Sequence, residues 1–162
     1  MEHWTQTPVI FNDAKTLRAF IHQDAWSSWG KERTVTLEDI RSFGALTDNQ
    51  QWIHEDQERA TREGPYSGLI AHGLLLVSLI PSLLPEEDYV VVGHSVRIVR
   101  GIDHLRLPAP VYLGETVHAR VRLTNVRSAP SGKGTILTRA VEVWSTVGEK
   151  PAVVCSLELQ YF

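Results

Sequence analysis

The side chains best suited to acid–base chemistry cluster in two stretches, TDNQQWIHED at residues 47–56 and GPYSGLIAHG at residues 64–73. Each stretch contains a histidine, His54 in the first and His72 in the second, and an imidazole exchanges its proton near neutral pH. The single cysteine, Cys155, lies in an apolar strand-like run and is expected to be a buried structural thiol. There is no Gly-x-Ser-x-Gly elbow, glycine-rich phosphate loop or dinucleotide fingerprint. Since no His, Cys or carboxylate pair has metal-ligand spacing, no metal site is expected.

Both stretches resemble those of the MaoC-like hydratases, and most closely their nodulation-protein-N-like branch. In that branch a loop of the form Gly-Asp-His-Gln-Trp-Ile-His-x-Asp precedes Gly-Pro-Phe-x-x-x-Ile-Ala-His-Gly. A later segment, VRGIDHLRLPAPVYLGETV, is similar to the branch's segment that ends in Arg-Phe-Pro-Ala-Pro-Val. The resemblance covers most of residues 30–162.

The resemblance implies an enzyme that interconverts trans-2-enoyl and (R)-3-hydroxyacyl thioesters by adding or removing water. In this family an Asp and a His, five residues apart, act on the unsaturated bond as base and acid, and His54 matches that histidine. The N–H of Gly73, at the start of the central helix, is the implied donor to the thioester oxygen. Ser67 and Gly68 either form a tight turn near the acyl group or serve only as turn residues.

Position 49 departs from the family pattern, because it holds Asn49 where the family has Asp. An amide can position a water but cannot accept a proton at neutral pH. Loss of one acid–base group costs about 10²- to 10⁴-fold in rate, so the chain is expected to be impaired. Asp48 is adjacent, but it stands where the family usually has Gly, and neighbouring side chains point in different directions.

Three explanations of Asn49 stay open. It is a deliberate substitution that traps bound substrate, or a natural residue in a member that binds thioesters or uses His54 alone, or a change for which Asp48 compensates. The first is favoured narrowly, because the rest of the motif is intact.

The first half of the chain is predicted to be mainly helical. Apolar spacing favours helices over residues 13–23 and over TLEDIRSFGAL, where Thr36 caps the first turn and Asp39 follows three residues on. Asp56 is expected to cap a short helix over DQERATRE. The segment LIAHGLLLVSLIPSLL is apolar on nearly every side, which predicts a helix buried in the core. His72 is expected to bond to backbone near the start of that helix.

The second half alternates apolar and polar residues in four segments, YVVVGHSVRIVRG, GETVHARVRLTNVRS, KGTILTRAVEVWST and PAVVCSLELQYF. This alternation predicts antiparallel strands with one covered face, and KERTVTL is a candidate fifth strand. An antiparallel sheet wrapped around a long central helix satisfies both halves, so the predicted fold class is α+β, a hotdog fold. Residues 1–162 are expected to form a single hotdog domain, with residues 1–28 as an N-terminal helical extension.

Composition limits the classes of partner that the chain is expected to bind. The net charge is −3 and the 16 Lys and Arg residues are scattered, so no nucleic acid is expected. The N-terminus lacks the features of a signal peptide, and the longest apolar run, residues 73–84, is too short to span a bilayer. No membrane partner and a cytoplasmic location are therefore expected, and a lone cysteine suits that reducing compartment.

The resemblance also implies a substrate and an assembly. The substrate is an acyl thioester of coenzyme A or of an acyl carrier protein, and no cofactor is needed. A homodimer is expected, because the chain holds one hotdog copy and family sites lie near a subunit interface. A non-catalytic thioester-binding protein and a hotdog thioesterase are the alternatives. The second is disfavoured because residues 73–84 contain no Asp or Glu.

Overall fold

The computed structural model describes residues 6–22 and 25–162. The strands are β1 (Thr7–Ile10), β2 (Arg33–Thr34), β3 (Tyr89–Val92), β4 (Arg97–Arg106), β5 (Thr116–Ser128), β6 (Thr135–Ser145) and β7 (Val153–Tyr161). The helices are α1 (Ala14–Arg18), α2 (Leu37–Thr47), α3 (Trp52–Glu55), α4 (Gln57–Glu63) and α5 (Gly73–Leu83).

The main sheet is antiparallel, with strand order β2-β5-β6-β7-β4. Strands β5, β6 and β7 alternate buried and partly exposed residues, as the sequence pattern predicted. The predicted fifth strand is confirmed, because β2 pairs with β5 through Arg33–Val117 and Thr34–Thr116. The sheet and α5 together give the α+β architecture expected from the two halves of the chain.

The segment YVVVGHSVRIVRG differs from the prediction of one strand. It divides after Val92 at Gly93, whose φ of 78° suits a glycine and breaks the extended run. The first part, β3, pairs in parallel with β1 in a separate two-stranded sheet. The second part, β4, lies at the edge of the main sheet and is largely exposed on both faces, so the expected covered face is absent there.

The described part of the N-terminal region contains a strand as well as a helix. β1 pairs with β3, and α1 spans only five residues, fewer than the predicted range of 13–23. Asp13 caps α1 by accepting from the Thr16 N–H, and Leu17 is buried in the core. Residues 1–5, 23 and 24 of the proposed extension lie outside the described residues.

The predicted caps are confirmed. Thr36 and Asp39 form a reciprocal capping box at the start of α2, and Asp56 accepts from the Arg59 N–H at the start of α4. Helix α3 was missed, because its single turn lies in a stretch whose polar side chains favour a loop. The last residue of α2 is Thr47, and the C-cap residue Asp48 adopts a left-handed φ of 52° and turns the chain toward Asn49.

Helix α5 packs one face against the sheet and leaves the other open. Leu75, Leu76, Ile80 and Leu83 are buried in the core. Burial of such a side chain stabilises the fold by about 1.5–3 kcal/mol. Leu74, Ser78, Pro81 and Ser82 are exposed, so the helix is buried on one face only, and the prediction of a core-buried helix from its nearly all-round apolar pattern is wrong for the other face.

A buried ion pair fixes the chain where it leaves α5. The Arg139 guanidinium, on the inner face of β6, lies 3.0 Å from a Glu87 carboxylate oxygen. It also donates to the hydroxyls of Tyr89 at 3.2 Å and Tyr161 at 3.4 Å. Glu87 lies in the short segment between α5 and β3, so this network ties the chain that leaves the helix to the sheet.

We predict that Arg139→Ala lowers the free energy of unfolding by about 3–5 kcal/mol, because it leaves the Glu87 charge half-buried without a partner. Urea unfolding followed by circular dichroism measures the loss. The control is Arg62→Ala on α4, where Arg62 is 62% exposed in its ion pairs, and the loss should stay below about 1 kcal/mol. Equal losses for the two variants would contradict a structural role for the buried pair.

Candidate active site

A pocket of about 310 Å³ opens where the end of α2, helix α3 and the N-terminus of α5 meet. Its lining residues are Phe43, Thr47, Asn49, His54, His72, Gly73, Leu74 and Leu107. Three candidates from the sequence, Asn49, His54 and Gly73, therefore lie together. Leu107 belongs to the third quoted segment, VRGIDHLRLPAPVYLGETV, but only the fold shows that it lies at this pocket.

Three other residues considered from the sequence lie outside this lining. Ser67 is exposed, and Gly68 is buried against α4, where a Cβ would lie 3.2 Å from Nε2 of Gln57. Asp48 is exposed at the left-handed C-cap of α2. That conformation suits Gly, Asn or Asp, which gives a backbone reason for the residue types at this position.

The tautomer of His54 is fixed by a backbone carbonyl. Its Nδ1 lies 2.8 Å from the Ile70 carbonyl oxygen, which can only accept, so Nδ1 carries the proton. The other nitrogen, Nε2, then holds a lone pair on a ring that lines the pocket. A histidine in this state can act as a general base.

Burial keeps the His54 imidazole neutral. The side chain is 6% exposed, and this desolvation lowers its pKa below the ordinary value of 6.5. The hydrogen bond to Ile70 opposes the shift, the neighbouring His72 adds to it, and Glu55 opposes it. Near neutral pH His54 is therefore the neutral imidazole, with its one proton on Nδ1.

His72 lies beside His54 and contacts the backbone of Asn49. Its Nε2 lies 2.8 Å from the Asn49 carbonyl oxygen, which confirms the expected backbone bond near the helix start. The two imidazole rings stack with their centroids 3.7 Å apart. The sequence did not indicate this stacking, because the two residues belong to separate helices.

Gly73 begins α5, and the first N–H groups of a helix lack acceptors within the helix. A Cβ at Gly73 would overlap the end of the Leu107 side chain, so a larger residue there would require that exposed leucine to move. The amide, the positive end of the helix dipole and the His54 ring border the same pocket. This arrangement can stabilise a carbonyl oxygen that gains negative charge.

The family model of the MaoC-like domain matches residues 28–144. The chain belongs to this family. 3-Hydroxyacyl-thioester dehydratase Z of Mycobacterium tuberculosis is 37% identical over 131 residues, which cover 79% of this chain and 83% of that protein. Nodulation protein N of Rhizobium meliloti is 33% identical over 104 residues, 60% of this chain and 62% of that protein. The resemblance to the nodulation-protein-N-like branch is thereby confirmed, and the family supports an enzyme of the hydratase/dehydratase kind.

Solved structures of other proteins share the fold of this MaoC-like chain. The monoamine oxidase regulatory protein from Archaeoglobus fulgidus has a TM-score of 0.70 at 24% identity, covering 96% of both chains. The (R)-hydratase from A. caviae involved in PHA biosynthesis has a TM-score of 0.61 at 23% identity, covering 85% of this chain and 98% of the other. The hotdog fold class is confirmed by such neighbours. In the described part of the chain no helix is long and apolar enough to cross a membrane.

The lowered pKa of His54 predicts a pH dependence of stability. Below pH 6.5 the unfolded chain binds a proton at this position before the folded chain does. Stability should therefore fall as the pH drops from 6.5 through the folded-state pKa. Urea unfolding between about pH 7.5 and about pH 5 measures the slope, which His54→Gln should reduce.

The matched control is His22→Gln, because His22 is exposed and should leave the slope unchanged. In His54→Gln the slope should become smaller without vanishing, since burial also lowers the pKa of His118. If His54→Gln leaves the slope as it was, His54 is not the buried neutral group described above.

Proposed function

We propose that this MaoC-like chain binds acyl thioesters of coenzyme A or acyl carrier protein in the pocket and interconverts trans-2-enoyl and (R)-3-hydroxyacyl thioesters. The observation that carries the proposal is the His54 ring, whose Nδ1–H is held by Ile70 so that Nε2 is free as a base. Asn49 and Gly73 border the same pocket. The name of the mycobacterial relative, a 3-hydroxyacyl-thioester dehydratase, and that of the (R)-hydratase neighbour support the reaction class.

The residues of the pocket would divide the reaction as follows. His54 Nε2 takes a proton from water, whose oxygen bonds to C3 of the enoyl chain. The electrons of the double bond move onto the thioester oxygen, which accepts a hydrogen bond from the Gly73 N–H. As that enolate collapses, C2 takes a proton, and the thioester is restored with hydroxyl at C3. Phe43, Leu74 and Leu107 offer apolar contacts for the acyl chain.

Protonation of C2 is the step that Asn49 impairs. Its amide can hold the water by hydrogen bonds but cannot exchange a proton at neutral pH. His54 must then return to C2 the proton that it took from water, although one imidazole is poorly placed to serve both atoms. Slow turnover follows from the chemistry of the amide, whether Asn49 is natural or a deliberate substitution.

We predict that Asn49→Asp raises kcat/KM for hydration of a trans-2-enoyl-CoA by at least about a hundredfold, because it restores the second acid–base group. The measurement is loss of enoyl absorbance with crotonyl-CoA and with a longer enoyl-CoA. His54→Ala in the Asn49→Asp background should remove the gain. A chain that is already fast as it stands would contradict the proposed impairment, and Asp48→Asn would then test whether Asp48 is the base.

Thioester binding without turnover is the second candidate, and Asn49 is the observation that favours it. The product distinguishes the functions: a 3-hydroxyacyl thioester indicates the hydratase, and free thiol indicates a thioesterase. If no variant turns over either substrate but an acyl-CoA still binds, as measured by calorimetry, the binding function is correct.

We also propose that the chain works as a homodimer joined along β4. Among the described residues β4 pairs only with β7, so its other edge is open. Apolar side chains on this strand are exposed, including Ile98 at 43%, Val99 at 55% and Ile102 at 39%. An open edge that carries apolar residues favours association with another strand. Leu74 and Leu107, both at the pocket, are exposed as well and would be covered if the interface extends to the site.

We predict that Val99→Lys converts a dimer into a monomer, because it places a charge in the proposed interface. Light scattering coupled to gel filtration measures the mass. The control is Val147→Lys, at an exposed valine in the turn between β6 and β7, which should leave the dimer intact. A dimer that survives Val99→Lys would place the interface elsewhere, and a monomeric starting chain would refute the assembly.

A further inference from the structure

The backbone of Asn49 is held from two sides. Its N–H donates to the Gly44 carbonyl of α2 at 2.9 Å, and its carbonyl accepts from His72 Nε2 at 2.8 Å. Residue 49 lies between α2 and α3: its N–H closes the C-terminal turn of α2, and its carbonyl accepts from a side chain of a separate element. The His72 bond therefore links this loop to the N-cap of α5.

The same His72 ring supports His54. The rings stack at a centroid distance of 3.7 Å and an interplanar angle of 25°. His72 is 3% exposed, and within the described residues its buried Nδ1 has no hydrogen-bond partner. The only hydrogen bond found for this buried ring is thus the one to Asn49, which makes the loop its polar anchor.

Gly44 leaves the space that this arrangement needs. A Cβ built there would lie 3.2 Å from the Asn49 carbonyl oxygen and 3.4 Å from Cε1 of His72. The first distance is short for a carbon–oxygen contact and the second is at the edge of ordinary van der Waals contact, so a side chain would press mainly on the carbonyl oxygen that accepts from His72. Gly44, Asn49 and His72 therefore form one unit, here called the loop clamp.

We propose that His72 is a positioning residue that sets the separation of residue 49 from His54, through its hydrogen bond to the Asn49 carbonyl and its stacking on the His54 ring. The proposal rests on the hydratase function above. Because the clamp grips the backbone of residue 49, it acts equally on Asn or Asp at that position. His72 lines the pocket, but its hydrogen bond goes to the backbone of residue 49, so its proposed effect on the reaction is geometric. Misplacement of a reacting group by about 1 Å can cost about a hundredfold in rate.

The test uses the full chain with Asn49→Asp as the parent and two variants of position 72. His72→Gln keeps an N–H donor near the place of Nε2, whereas His72→Phe keeps a stacking ring and removes the donor. We expect His72→Phe to lower kcat by at least about thirtyfold with KM changed by less than about threefold. His72→Gln should restore kcat to within about fivefold of the parent. Equal losses in the two variants, or an unchanged kcat for His72→Phe, would overturn the proposal.

A second variant covers failure of His72→Phe to fold, which circular dichroism would reveal. Gly44→Ala crowds the clamp from the other side, and we expect it to lower kcat by about tenfold with KM nearly unchanged. An unchanged kcat in that variant would also overturn the proposal.

Failure of the hydratase proposal gives a different result. If the Asn49→Asp parent itself shows no turnover, the positioning inference is judged by amide hydrogen exchange at Asn49, which needs no reaction. His72→Phe should then speed this exchange at least about tenfold relative to His72→Gln, because residue 49 has lost the bond at its carbonyl and keeps only the N–H bond to Gly44. Equal exchange rates would show that the clamp does not hold the loop.

Discussion

The packing of α5 against the main sheet is the constraint on which the site depends. Leu75, Leu76, Ile80 and Leu83 bury one face of the helix, and this contact fixes where its N-terminus emerges. The Arg139–Glu87 pair holds the chain at the other end of the helix. The packing of the buried face of α5, which lies away from the pocket, therefore places Gly73 and His72 at the pocket. The exposed face of α5, with Leu74 at the pocket, is the part of the helix that this fold leaves uncovered.

Two backbone carbonyls determine the chemistry of the histidines. A carbonyl oxygen only accepts, so Ile70 places the His54 proton on Nδ1 and Asn49 places the His72 proton on Nε2. Two stacked imidazoles could have exchanged roles, but these acceptors give them different tautomers. His54 keeps a free Nε2 that suits a base, while the Nε2–H of His72 donates to the Asn49 carbonyl. The two histidines thus differ because each ring meets a different backbone carbonyl.

Asn49 changes the chemistry of this site without changing its backbone. The loop is bonded through the N–H and C=O of residue 49, which are the same for Asn and Asp. The backbone geometry at position 49 therefore does not depend on whether its side chain is an amide or a carboxylate.

Much of this protein followed from local sequence. The Thr36–Asp39 capping box, the Asp56 cap and the strand alternation depend on neighbouring residues, and the structure has all three. The two motifs also carried enough specific residues to identify the family and to single out Asn49, His54 and Gly73.

Tertiary structure decided what depends on distant residues. The division of β3 from β4 depends on the parallel partner β1, and the open face of α5 depends on how far the sheet reaches around it. The stacking of His72 on His54, the position of Leu107 over Gly73 and the absence of Ser67 from the pocket depend on how separate elements meet. A sequence pattern reports the environment that each residue prefers. It does not report which other residue supplies that environment, as the separate carbonyl partners of His54 and His72 show.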